Sequence, residues 1–313
     1  MAAPMSRFGP EPVPNCCRKL ALAFRRPMES GGERRNISGR IERLVRRFIP
    51  STAVLTRGWP ARLLDAADFP SRLFHPEFRE LPPNHLRVRV GTGNRVLFNQ
   101  SQFQRLGAHE CLDMFSRGWL KPDSSLIDIG CGCGRTAAPL RQAAGFFGTY
   151  LGIDVDEEMI AWCRTHLTDE RFFFEHADTY NSVYNPAGSR DAYRLPVEDA
   201  SQDLVISYSL FTHLLERDLL NYVSEASRAL KPTGTMVMTV FCLDHPESAA
   251  GRLARFSFRH PVGEAMVEDA GLPEAAVAYP SRFLIESCLN SGFGAARVES
   301  TPGQSQLIAT IEP

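Results

Sequence analysis

Residues 125–140 read SLIDIGCGCGRTAAPL, so Gly130, Gly132 and Gly134 alternate with Cys131 and Cys133 directly after a short apolar run. Glycines placed there let the backbone turn tightly and approach a ligand without Cβ collisions, at the positive N-terminal end of a helix. Two thiols so close together could instead hold a metal or exchange electrons. The eight cysteines argue against that. They stand at 16, 17, 111, 131, 133, 163, 242 and 288, with no Cys-x-x-Cys pair and no histidine cluster beside them. They read as reduced thiols used as small hydrophobes, and no metal is implied. The loop also departs from two phosphate-binding patterns. Arg135 occupies the third glycine position of Gly-x-Gly-x-x-Gly, and no Gly-Lys-Ser/Thr ending follows. Twenty residues after Gly134 stands Asp154, at the end of YLGID, where a carboxylate can accept hydrogen bonds from both hydroxyls of a ribose. Further on, SYSLFTHLLE carries Tyr208, Phe211 and His213, and the imidazole titrates in the range that suits a general base.

The glycine loop resembles motif I of the class I S-adenosylmethionine-dependent methyltransferases, in which an apolar strand ending in an acid runs into Gly-x-Gly-x-Gly. Asp128 matches the acid, and Gly130, Gly132 and Gly134 match the glycines. A ligand without phosphates needs no lysine-bearing cradle, in keeping with the absence of one here. The resemblance implies S-adenosylmethionine as cofactor, with Asp154 on the ribose and an acid after the third strand on the adenine amino group. RFFFEHADTYN nominates Asp178 for that acid, because it directly follows a strand-like run. DAYRLPVEDASQDLV resembles the Asp-Ala-x-x-Leu-Pro-Phe stretch of the family and nominates Asp191 instead. QDLVISYSLFTHLLE resembles motif IV, with Ser207 near the strand end counted among the cofactor contacts. LKPTGTMVMTVF resembles the Leu-Lys-Pro-Gly-Gly turn, with Thr233 replacing the first glycine.

The implied activity is methyl transfer to a small-molecule acceptor, at oxygen, with His213 as the base. The competing role for His213 is to hydrogen-bond the start of the next helix, and His260 is a second candidate base. Two other functions stay open: a methyltransferase that holds RNA or another polyanion through a basic N-terminal region, and a non-catalytic protein that keeps the cofactor fold.

Elements that would position these residues are legible from periodicity. Strands are expected at 125–129, 148–153, 171–176, 202–207 and 235–241, and weaker ones near 295–299 and 305–311. Helices are expected at 135–145, 157–167, 216–230 and 281–291, with Asp156 as the N-cap of the second. Nearly all-apolar strands separated by helices signal a parallel sheet covered on both faces. The fold class expected is α/β: a doubly wound, mostly parallel seven-stranded sheet with its last strand antiparallel, preceded by a helical or irregular extension.

At 313 residues, 43% hydrophobic and 23% charged, the composition is that of an ordinary globular protein. No apolar run approaches the roughly 20 residues that cross a bilayer, and no signal-peptide pattern is read at the start, so the cytoplasm is the expected location. The net charge of −1 hides a split of about +8 over residues 1–60 against about −9 over the remainder. Residues 1–37 read as a loose basic leader and 38–85 as an extension. Ser38 begins a basic amphipathic helix ending at Pro50, with Ile41, Leu44, Val45 and Phe48 on one side. That helix offers a weak peripheral membrane contact, or else packs on the main domain. Prolines at 60, 70, 76, 82 and 83 make 60–85 read as loop-rich. The cofactor domain is expected over 86–313, with 242–280 as a substrate lid rich in aromatic residues. No nucleic-acid partner is favoured, because the main body is acidic and lacks an aromatic-plus-basic stripe. Oligomeric state is not legible.

Overall fold

Strands whose runs are almost wholly apolar must be covered on both faces, and here they form the inner part of one sheet. A computed structural model describes residues 58–90, 99–143, 145–182, 185–245, 256–301 and 304–312. The N-terminal leader, the helix expected at 38–50, Cys16 and Cys17 lie outside the described residues, as does 246–255 of the expected lid. Among the described residues the order is α1 (Gly58–Phe74), α2 (Asn84–Arg87), α3 (Gln100–Ser116), β1 (Ser125–Ile129), α4 (Ala137–Arg141), β2 (Thr149–Asp154), α5 (Glu157–His166), β3 (Phe172–His176), β4 (Gln202–Ser207), α6 (Glu216–Ala229), β5 (Leu230–Cys242), β6 (His260–Val262), β7 (Ala265–Val267), β8 (Val277–Tyr279), α7 (Ser281–Asn290), β9 (Ala295–Thr301) and β10 (Gln304–Thr310).

The main sheet runs β3-β2-β1-β4-β5-β10-β9. Strands β1 to β5 are parallel to one another, and β10 is antiparallel to both β5 and β9. The expected seven-stranded doubly wound sheet with an antiparallel last strand is therefore the fold. Side chains of β4 alternate between two cores: Leu204 and Ile206 join α3, α4 and α5, while Val205 joins α6 and β10. Helix α6 buries Leu219, Tyr222, Val223, Ala226 and Ala229, a single stripe of helical spacing, against the sheet. Asp156 caps α5 by accepting from the Met159 N–H at 3.3 Å, as its sequence position led us to expect.

Chain order reverses between β1 and β4, so their carboxyl ends open on the crevice where ligands bind in this architecture. The insertion after β5 adds three short strands. β8 pairs with the last two residues of β5, β7 with β8, and β6 with β7.

Two expectations need correction. The helix read over 135–145 is confined to Ala137–Arg141, where Pro139 removes one of the donors a longer helix would need. The stretch 60–85 is not mainly loop: α1 runs through Pro70. It holds because its inner side is tied down by charge. Asp68, 1% exposed, accepts from Arg87 Nη1 and Nη2 at 3.2 and 3.0 Å and from Arg72 Nη2 at 3.2 Å. Ser71 Oγ returns a hydrogen bond to the Asp68 carbonyl at 2.7 Å, in the turn that Pro70 weakens.

Candidate cofactor-binding and active site

The loop after β1 is shaped by three residues in the left-handed region: Gly130 at φ +79°, Gly132 at +56° and Gly134 at +77°. At Gly134 a Cβ would also lie 2.3 Å from Leu167 Cδ1, so glycine is required on both counts. Gly130 N and Cys131 N both donate to the Ile153 carbonyl, at 2.7 and 3.1 Å, which joins the loop to the end of β2. There Asp154 is bonded directly to the loop. Its Oδ2 accepts from Gly132 N at 2.8 Å and its Oδ1 from Asp156 N at 2.9 Å. Burial pushes the Asp154 carboxyl up to about 6 against the pull of these backbone N–H groups. The spacing of twenty residues thus brings loop and acid together.

Asp128 is placed differently. It is 2% exposed and its Oδ2 accepts from the Tyr150 hydroxyl at 2.6 Å. Burial raises it to about 7, with the Tyr150 hydrogen bond opposing. Behind it Arg135 pairs with Glu110 at 2.7 Å, and Thr136 Oγ1 donates to Glu110 at 3.0 Å. The residue in the third glycine position therefore braces the back of the loop.

The two conspicuous cysteines do no ionic chemistry in this setting. Cys131 and Cys133 are 3% and 0% exposed, and burial drives the Cys133 thiol up to about 12 and Cys131 well above its ordinary value. The Cys131 and Cys163 thiols both lie 3.6 Å from the Gly132 carbonyl oxygen and donate weakly to it.

Asp178 is exposed, two residues beyond β3, and accepts from Asn185 Nδ2 at 3.1 Å. Asp191 is also exposed and accepts from Ser189 Oγ at 3.0 Å, while Ser189 N donates to the Asp178 carbonyl at 3.1 Å. Both rival acids thus belong to one folded connection between β3 and β4. Ser207, at the end of β4, is fully buried and its Oγ has no hydrogen-bond partner among the described residues; the same holds for the adjacent Tyr208 hydroxyl. His213 closes a 3₁₀ turn, Phe211–His213, that begins beside the glycine loop: a Cβ on Gly130 would lie 3.0 Å from Leu210 Cβ. His213 Nδ1 faces the Glu274 carbonyl oxygen at 2.9 Å. His260 lies exposed on β6.

Residues that periodicity does not single out also shape the site. Val90 packs on the loop, with Cγ2 2.9 Å from where a Gly132 Cβ would stand. Arg89, from the same segment, pairs with Asp156 at 2.9 Å and Glu158 at 2.5 Å. His85 faces Asp65 at 2.6 Å and Glu158 at 3.0 Å. The extension is thereby clamped to the start of α5, next to Asp154. No linear pattern in the sequence marks Arg89 or pairs it with Asp156.

The arrangement fits S-adenosylmethionine on two observations. The Asp154 carboxylate is joined to the glycine loop, and a buried hydroxyl with no partner among the described residues, Ser207, closes the neighbouring strand end.

Residues 127–238 match the family described as "Methyltransferase domain". Over 113 residues the chain is 31% identical to an arsenite methyltransferase of Aquipseudomonas alcaligenes, which covers 36% of this chain and 31% of that protein. Over 137 residues it is 28% identical to an uncharacterized 37.1 kDa protein of transposon TN4556 in Streptomyces fradiae, covering 42% and 36%. The matched part therefore spans about a third of each of these relatives. Among solved structures, the PH0226 protein of Pyrococcus horikoshii aligns with a TM-score of 0.49 at 19% identity, over 72% of this chain and 98% of that one. Residues 127–238, which hold the glycine loop, most of β1 and strands β2 to β4, are thus similar to the methyltransferase domain family.

Proposed function

We propose that the chain transfers a methyl group from S-adenosylmethionine to a small-molecule acceptor, at oxygen, with His213 as general base. The observation that carries the reading is the bond from Gly132 N to Asp154, which fixes loop and acid as one unit. S-adenosylmethionine supplies a methyl group already activated on a sulfonium centre. The protein's own task is to hold the acceptor in line, exclude water and take up a proton. Gly130, Gly132 and Gly134 would admit the cofactor backbone-on, Asp154 would hold its ribose, and Asp178 or Asp191 would meet its adenine. Asp128 and Ser207 complete the set, Asp128 by bracing the loop from within.

His213 is suited to proton uptake by its geometry. A carbonyl oxygen only accepts, so the ring hydrogen sits on Nδ1 and the neutral imidazole carries its lone pair on Nε2. The small-molecule reading is supported by the insertion, where Phe241, Phe256 and Phe258 form an aromatic cluster with centroids 5.3–5.6 Å apart at the carboxyl end of β5. The acidic body gives no support to a polyanionic acceptor.

Calorimetric titration of wild type and Asp154→Ala with S-adenosylmethionine and with NADH tests the cofactor. Wild type should bind S-adenosylmethionine and the variant should lose at least tenfold in affinity, about 1.4 kcal/mol. Tighter binding of NADH, or no loss in the variant, sinks the reading. With an acceptor in hand, His213→Gln should abolish the acidic limb of the kcat profile.

A further inference from the structure

Glu274 joins three segments that are far apart in the chain. It lies in the 3₁₀ turn Pro273–Ala275 of the insertion. Its main-chain carbonyl accepts from His213 Nδ1 at 2.9 Å. Its carboxylate Oε2 accepts from Ser182 twice, from the N–H at 3.1 Å and from Oγ at 2.5 Å. Ser182 belongs to the connection between β3 and β4 that carries Asp178 and Asp191. One residue thus touches the candidate base with its backbone and the cofactor-side connection with its side chain.

Neighbouring bonds close the same ring. Arg217 Nη2, in the first turn of α6, donates to the Arg190 carbonyl at 2.7 Å, and Glu264 N donates to Glu216 at 3.3 Å. The Tyr279 hydroxyl donates to the Leu214 carbonyl at 3.1 Å, one residue past His213. The His213 turn is consequently enclosed by the insertion on one side and by the 178–191 connection on the other. A three-residue turn has little internal bonding of its own: Ala275 N to the Leu272 carbonyl at 3.0 Å is its closing bond. Just past it Glu268 N donates to the Ala276 carbonyl at 3.1 Å, and the Ser182 bonds to the Glu274 side chain tie the turn to the other side of the ring.

We propose that Glu274 is a positioning residue. Its carbonyl holds His213 in the Nδ1-protonated tautomer, and its carboxylate makes that hold depend on Ser182, so that ordering the adenine-side connection also orders the base. This rests on the cofactor and His213 assignments above. It predicts that an insertion residue with no place in the cofactor loop affects cofactor binding. It also predicts that the cofactor product is sensed at His213.

The test uses the full-length protein labelled with ¹⁵N-histidine, with S-adenosylhomocysteine as the probe and His213→Gln to assign the resonance. In wild type the His213 ring should report protonated Nδ1 and shift when S-adenosylhomocysteine is added. Glu274→Ala should weaken S-adenosylhomocysteine about five- to tenfold, the net scale of one lost hydrogen bond, and remove the shift at His213. Glu274→Gln keeps an acceptor oxygen and should stay within about twofold of wild type. Ser182→Ala, which retains its N–H, should weaken binding about threefold and add little to Glu274→Ala in the double variant. If Glu274→Ala fails to fold, Ser182→Ala alone carries the test through the same two readouts. Unchanged affinity and an unchanged His213 response in these variants overturn the proposal while the cofactor reading stands. Failure of wild type to bind S-adenosylhomocysteine overturns the cofactor reading and this inference with it.

Discussion

Asp128 offers the sharpest test of the physical reasoning about the loop. The carboxyl is buried to 2% exposure and its ordinary value of 3.8 is raised to about 7, with burial as the first cause and the Tyr150 hydrogen bond opposing it. The folded protein therefore binds a proton that the unfolded chain has released between roughly pH 4 and pH 7. Stability must fall as pH rises through that window, the reverse of the usual behaviour of a paired carboxylate. A shift of about three units is worth about 4 kcal/mol in all, at 1.36 kcal/mol per unit, and about 2.5 kcal/mol of it falls between pH 5 and pH 8. Asp128→Asn keeps an oxygen for the Tyr150 hydroxyl and cannot titrate. Chemical denaturation of both proteins at pH 5, 6, 7 and 8 isolates the effect, because every other titrating group is shared. The stability of wild type minus that of the variant should decline by about 2.5 kcal/mol from pH 5 to pH 8. A difference that stays flat within about 0.5 kcal/mol, or that rises with pH, refutes the claim that burial governs this acid.

Three further outcomes are expected. Gly134→Ala should cost about 2–3 kcal/mol by denaturant midpoint, since the residue is at φ +77° and the new Cβ would meet Leu167 Cδ1 at 2.3 Å; a loss below about 1 kcal/mol would mean the loop shifts freely. Thr233→Gly should gain about 1 kcal/mol, because a β-branched residue stands at φ +68° at an exposed point of β5 where the pairing with β4 is irregular; a neutral or negative change would show that the threonine side chain contributes there. Arg87→Met should cost about 3 kcal/mol and expose residues 58–90 to limited proteolysis before the sheet, as it leaves Asp68 buried with Arg72 as its remaining cation; uniform digestion of the whole chain would contradict that order.

Much of the fold was legible because a parallel sheet imposes a strong linear signal. SLIDI, TYLGID and QDLVIS are apolar through their middles since both of their faces are covered there, and each forms a strand within a residue or two of its expected place. The irregular point of β5 at Thr233, where the family pattern has a turn into the strand, was legible for a related reason. The backbone there needs a positive φ whichever residue occupies it, and the glycine of the family pattern marks the place. Helix α1 was not legible. It buries Asp68 and leaves Trp59, Leu63, Leu73 and Phe74 exposed, so the apolar spacing that normally points inward points outward, and a proline stands in its interior.

The candidate site divides along the same line. Sequence alone determined the glycine loop and the acid paired with it, because the geometry of a strand, a tight turn and a helix fixes the distance along the chain between Gly134 and Asp154. It determined nothing about which groups close over them. Val90 on Gly132, Arg89 on Asp156 and Glu274 between His213 and Ser182 are contacts across 42 to 92 positions of chain, and a contact at such separation leaves no periodic trace. Only the folded chain decided that the connection between β3 and β4, the insertion and the histidine share one hydrogen-bonded ring.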